Sequence, residues 1–106
     1  MYQVVLAPEA VEDLRALKAF VRAAVREGLD KYLRHAPTKT SKSRIKRLRG
    51  LTHPQYRLRV ETVRVFYDVN ERVVEILAIV PKDGAKAWLE RAGVSDERSG
   101  PQRSER

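Results

Sequence analysis

Arg57, Arg59 and Arg64 stand at alternating positions in residues 44–69, RIKRLRGLTHPQYRLRVETVRVFYDV. Alternate residues of a β-strand share one face, so this spacing gathers three guanidinium groups on a single surface. Each stays charged at neutral pH and presents a planar fork of donors that fits two phosphate oxygens at once. The chemistry such a row supports is holding a nucleic-acid backbone and stabilising the negative charge that builds on a reacting phosphate. Arginine is a poor base, so the row supplies charge and leaves proton transfer to other groups. The competing readings are a solvated strand face, or a set of ion-pair partners for Glu61, Asp68 and Glu75.

The elements that position the row follow from periodicity. Tyr56, Leu58 and Val60, then Val63, Val65, Tyr67 and Val69, alternate with Arg57, Arg59, Arg64, Phe66 and Asp68, the pattern of strands with one buried face. Only Glu61 and Thr62 separate the runs, which predicts a tight antiparallel hairpin that brings the arginines of both strands together. Tyr56 and Tyr67 fall on the apolar face and read as core. Thr52-His53-Pro54-Gln55 reads as a turn, with His53, the only histidine near the basic strands, ranked as a loop residue ahead of a general base, and Ile45–Arg49 reads as a frayed edge strand. Arg72–Val80 is nearly continuous in aliphatic residues, as a central strand should be, with Glu75 placed on the face of Leu77 and Ile79 and within reach of a neighbouring arginine.

Tyr2–Ala7 reads as a strand that stops at Pro8, a residue suited to the first turn of a helix. Apolar residues then recur every three or four positions from Ala10 to Leu33, which gives a helical region, best divided as a hairpin, that ends at His35-Ala36-Pro37. Gly84–Ala92 predicts a short last helix plugged by Trp88 and closed by Gly93. The fold class expected is α+β: a twisted antiparallel sheet of about four strands, an N-terminal helical hairpin on one face and a short C-terminal helix. Residues 1–93 make one domain, and 94–106 a polar, unstructured tail.

The chain's 106 residues suffice for one core and not for two. Its 22 Lys and Arg against 14 Asp and Glu leave a net charge of +8, which favours polyanionic partners. Lys39, Lys42, Arg44, Lys46 and Arg47 read as a nonspecific contact of that kind. The lack of cysteine excludes disulfides, thiolate zinc sites and a cysteine nucleophile. Two histidines without a carboxylate cluster argue against a metal, and no apolar run approaches the roughly 20 residues of a membrane span. The start MYQVVLAPEAVEDL lacks the basic-then-apolar order of a secretion signal. A cytoplasmic protein that works without cofactor, metal or membrane is expected.

Several motifs recur in a specific order: Ala7-Pro8-Glu9-Ala10 at the first helix, Leu48-Arg49-Gly50-Leu51, Tyr56-Arg57-Leu58-Arg59-Val60, Val63-Arg64-Val65-Phe66-Tyr67, and the hydrophobic run Val74–Val80. Over about residues 1–91 the chain resembles the RelE/ParE superfamily of bacterial toxins from type II toxin–antitoxin modules. The resemblance implies a compact toxin neutralised by a cognate antitoxin. RelE-like members cut mRNA in the ribosomal A site, with a 2′-hydroxyl attacking the adjacent phosphate; ParE-like members inhibit DNA gyrase. The first is the reading adopted, an endoribonuclease of the mRNA interferase type with ribosome and mRNA as partners. The alternatives are a gyrase inhibitor, or a catalytically weakened toxin that keeps antitoxin binding.

Carried over by position, Arg49, Arg57, Arg59 and Arg64 would bind phosphate and stabilise charge; from the residues themselves, Lys82 joins Arg57, Arg59 and Arg64 as a catalytic candidate, and Lys46, Arg47 and Lys86 join Arg49 as candidates for binding RNA. The RelE branch has lysines where this chain has Arg57 and Arg59. It also has an arginine after the last strand and a C-terminal tyrosine, and Pro81–Leu89 holds neither. The resemblance therefore assigns charge stabilisation and no general base or acid.

Overall fold

The computed structural model describes residues 1–95. In chain order, β1 (Gln3–Leu6) leads into α1 (Pro8–Ala16) and α2 (Ala19–Gly28), which runs on into a π-helical turn at Leu29–Leu33. Then come β2 (Ile45–Arg47), β3 (Leu51–His53), β4 (Tyr56–Val60), β5 (Val63–Asn70) and β6 (Val73–Pro81). A 3-10 turn at Lys82–Gly84 precedes α3 (Ala85–Ala92) and β7 (Val94–Ser95).

The helical region is a hairpin of two helices. Leu17 and Lys18 adopt extended backbone, and Arg22 Nη1 donates to the freed carbonyl of Leu17 at 2.7 Å. Both helices lie on one face of the sheet, where Ala10, Leu14, Val21 and Val25 meet Leu58, Val65, Tyr67, Val74 and Ile76. Fully burying a Val or Leu side chain contributes about 1.5–3 kcal/mol, whereas the exposed pairs Arg15–Glu12 and Arg34–Asp30 contribute about 1 kcal/mol at most. Burial therefore holds this layer. At Gly28 the approach is close enough that a Cβ would meet Val60 Cγ2 at 3.2 Å, so the residue that weakens the helix in isolation is what lets it seat on β4. Tyr67 is fully buried, with its hydroxyl donating to Pro37 O at 2.7 Å.

The main sheet has five strands in the order β1-β6-β5-β4-β2, one more than expected, and β1 joins it parallel to β6 while the other pairs are antiparallel. A helical crossover between β1 and the sheet makes the parallel pairing possible. Between β5 and β6 the register shifts: Phe66 opposes Ala78, yet Tyr67 opposes Ile76, so Leu77 is a bulge residue. The extra residue changes the phase of β6. Ile79 and Ile76 both reach the helix-side core, and Glu75 falls opposite Asp68. Glu75 thus keeps the outer face with Leu77, as expected, but the expected grouping with Ile79 and a neighbouring arginine is corrected. Where β1 has ended, Asp13 Oδ2 accepts the N–H of Ile79 at 2.9 Å.

A second correction concerns residues 52–55. Leu51–His53 is a strand, paired antiparallel with Val94–Ser95, and the chain turns only at Pro54 and Gln55. The return past α3 brings Gly93 so near that a Cβ would lie 2.6 Å from Leu89 O and 3.3 Å from Leu51 Cδ2. Val94 and Ser95, expected to open the tail, are thus β7; the rest of that stretch, 96–106, lies outside the described residues.

Candidate nucleic-acid interface

The register of β2, β4 and β5 decides which cations meet. Arg59 lies directly opposite Arg64, Arg57 opposite Phe66, and Lys46 on β2 opposite Arg57. Their neighbours Ile45, Leu58, Val63 and Val65 point into the helix-side core, so Lys46, Arg57, Arg59 and Arg64 share the outer face. Lys82 is exposed at the rim, its backbone N–H on Thr62 O at 2.8 Å beside the β4–β5 turn. Lys86 is exposed on α3, and Arg49 is exposed in the turn with Gly50, off the main sheet. Arg47 is otherwise engaged: it donates to Leu48 O at 2.9 Å and Gln55 O at 2.8 Å, and covers the Tyr56 ring at 5.3 Å. Arg44 likewise lies over Tyr32 at 4.8 Å.

One of the competing readings predicted ion pairs to Glu61, Asp68 and Glu75. Among the described residues the salt bridges are Arg15–Glu12, Arg34–Asp30 and His53–Asp68, and none involves this row. Arg64 Nη1 instead donates to its neighbour Val63 O at 3.0 Å. The buried Nε of Arg57 has no hydrogen-bond partner among the described residues. Burial first, and then the nearby Arg64 and Arg59, push the Arg57 guanidinium below its ordinary value; burial and Arg59 do the same to Arg64. Both remain cations near neutral pH. Four positive groups therefore stand together without a counter-charge among the described residues, an arrangement that an anion would relieve.

An apolar floor adjoins the row. Phe66, the partner of Arg57, stacks on Trp88 of α3 with centroids 4.9 Å apart and planes at 7°. Ala78, Leu77, Val80 and Leu89 complete this second, smaller core. Trp88 is 8% exposed, so it plugs α3 onto the sheet, as the sequence suggested, and offers no open ring face for a base.

What the sequence reading missed lies at the other end of the same face. Asp68 follows Phe66 on β5, and its Oδ2 sits 2.6 Å from His53 Nδ1 while Oδ1 accepts the Gln55 N–H at 2.8 Å. Gln55 Oε1 accepts the Val69 N–H at 2.9 Å, which fixes the turn against the strand. These residues, with Glu71, Val73 and Glu75, line an open trough of about 740 Å³. The available signal was the hairpin register: extended one step past Tyr56 and Tyr67, it places residue 55 level with Asp68. Among the described residues, no three His, Asp or Glu side chains gather as a metal-binding group, and no helix is long and apolar enough to cross a membrane.

A family model described as the ParE toxin of the type II toxin-antitoxin system, parDE, matches residues 4–84. Among solved structures, the chain is similar to the archaeal RelE-RelB complex from Pyrococcus horikoshii OT3, with 28% identity and a TM-score of 0.64 over 76% of this chain and 94% of that one. It is similar also to the toxin-antitoxin complex RelBE2 from Mycobacterium tuberculosis, with 27% identity and a TM-score of 0.60 over 76% and 96% of the two chains. A mutant of the E. coli toxin RelE in the free state shares the fold at 20% identity and a TM-score of 0.62, over 86% of this chain and 97% of that one. No curated protein matches the chain significantly by sequence.

Proposed function

The chain belongs to the ParE toxin family of type II toxin–antitoxin systems, within the RelE/ParE superfamily, and on that premise we infer that it is an endoribonuclease acting on mRNA at the ribosome. The observation that carries this reading is the unneutralised row of Lys46, Arg57, Arg59 and Arg64 on one sheet face. A toxin that only had to bind a protein would gain little from four adjacent cations, whereas a phosphodiester that passes through a doubly charged phosphorane gains most from fixed positive charge.

In this mechanism Arg57 and Arg64 hold the two non-bridging oxygens of the scissile phosphate, and Arg59, between them on the face, meets the charge that develops. Lys82 at the rim serves the leaving side. Lys46, Lys86 and Arg49 bind flanking phosphates; Arg47 contributes by holding the turn. The 2′-oxygen attacks phosphorus, the bond to the 5′-oxygen breaks, and a 2′,3′-cyclic phosphate and a 5′-hydroxyl result. The similar structures at 28% and 27% identity are a RelE-RelB complex and a toxin-antitoxin complex, which supports a cognate antitoxin as this chain's partner.

The family model favours a second reading, inhibition of DNA gyrase without chemistry. A translation extract with a defined mRNA separates the two. Toe-printing should reveal a cut in the A-site codon that Arg57→Ala and Arg64→Ala suppress. Intact mRNA together with blocked supercoiling by gyrase would replace the nuclease reading with the second.

A further inference from the structure

The nuclease reading has charge for the transition state and no group yet to remove the proton from the attacking hydroxyl. The trough end of the face holds a pair suited to it. Asp68 is on the same face as Arg57 and Arg64, one alternate step beyond Phe66, so its level lies about 7 Å along the sheet from that of Arg57. Its carboxylate is fully used, by His53 on one oxygen and the Gln55 N–H on the other. An ionised carboxylate only accepts, so in the neutral imidazole the proton between the pair sits on His53 Nδ1, which leaves Nε2 as the acceptor.

Exposure distinguishes this pair from a structural clasp. The Asp68 side chain is 14% exposed, while that of His53 is 52% exposed. The carboxylate is anchored, and the imidazole, half exposed, lines the trough. Holding it there sets Asp68 directly opposite Glu75, a like-charge pair that folding alone would avoid.

We propose that His53, oriented by Asp68, is the base that takes the proton of the attacking 2′-hydroxyl, a role that rests on the endoribonuclease reading above. His53 Nε2 accepts the proton as the 2′-oxygen bonds to phosphorus. The bond from phosphorus to the 5′-oxygen breaks, that oxygen takes a proton from water, and the imidazolium returns its own to solvent. Nothing is oxidised or reduced, and protons balance. Asp68 is a positioning residue: it sets the tautomer and the ring's direction without touching RNA.

The test is single-turnover cleavage of a defined mRNA on programmed ribosomes by the full chain. His53→Ala should lower the rate by about 10²–10⁴-fold, the usual range for a lost general base, while binding to the programmed ribosome is kept. His53→Gln, which can still hydrogen-bond Asp68 but accepts no proton there, should be folded and equally slow. Added imidazole should restore part of the rate to His53→Ala. The defect should persist on an mRNA with sulfur as the 5′ leaving atom, because a thiolate needs no acid but the 2′-hydroxyl still needs a base. Nitrogen NMR of the free protein should find the His53 proton on Nδ1, and Asp68→Asn should change that tautomer distribution.

Cleavage at the wild-type rate by His53→Ala or His53→Gln overturns the proposal and leaves the nuclease reading standing. So does full recovery on the sulfur substrate, which would make His53 an acid, or a wild-type imidazole protonated on Nε2. A wild-type chain that leaves mRNA whole overturns both together.

Discussion

The outer face of the sheet has two ends that contrast in charge. At the β4–β5 turn, Arg59 opposes Arg64 with Lys46 and Arg57 beside them; at the far end, Asp68 opposes Glu75. Directly opposed like charges weaken a sheet, and exchanging a few residues between the ends would have made favourable pairs at both. The helix-side face shows no such conflict, since its positions are filled by apolar residues. The segregation on the outer face is therefore arranged for something that binds there. One end offers cations to an anion, and at the other a carboxylate holds an imidazole at 2.6 Å.

The contrast can be broken from its basic side first. Trp88→Ala removes the plug between α3 and Phe66 and should destabilise the chain by about 3–5 kcal/mol, the cost of deleting a large core ring, as read by urea unfolding. Arg57→Ala should lower ribosome-dependent cleavage by about 10²–10³-fold, as for loss of one donor to a developing oxyanion, with its unfolding midpoint close to that of the wild-type chain.

Smaller effects sharpen the picture. Affinity for single-stranded RNA should fall as salt rises, with a log–log slope near −0.7 per phosphate contacted. Removing Arg59 or Arg64 should make that slope shallower by about one such step, while Asp68→Asn should not. The smallest change expected is a gain: Glu75→Thr relieves the acidic pair and should raise stability by about 0.2–1 kcal/mol, seen as a higher melting temperature. A loss instead would mean that Glu75 has a partner at this end and that the opposition to Asp68 is harmless.

How legible all this was in the sequence depended on the range of the contacts involved. The β4–β5 hairpin and its arginine face follow from strict alternation across a two-residue turn, and they form with that register. The bulge at Leu77 left no trace, because in RVVEILAIV one inserted apolar residue looks like any other; Ile79 was placed on the face of Glu75 for that reason. The parallel seat of β1 on β6 and the two-stranded β3–β7 pair join residues far apart in the chain and are too short to show a period. Arg47 and Arg57 look alike as sequence, yet one is spent on backbone carbonyls and a tyrosine ring and the other is left without a partner on its Nε. His53 read as a loop residue because its meaning comes from Asp68, fifteen positions on and reached only through the register of the hairpin.

The division of labour between the two ends is tested most directly by measuring binding and single-turnover cleavage together for Arg57→Ala and His53→Ala on programmed ribosomes. The account predicts that Arg57→Ala weakens binding as well as cleavage, whereas His53→Ala binds like the wild-type chain and cuts slowly. Two variants with the same profile, whether both lose binding or both cut normally, would contradict it.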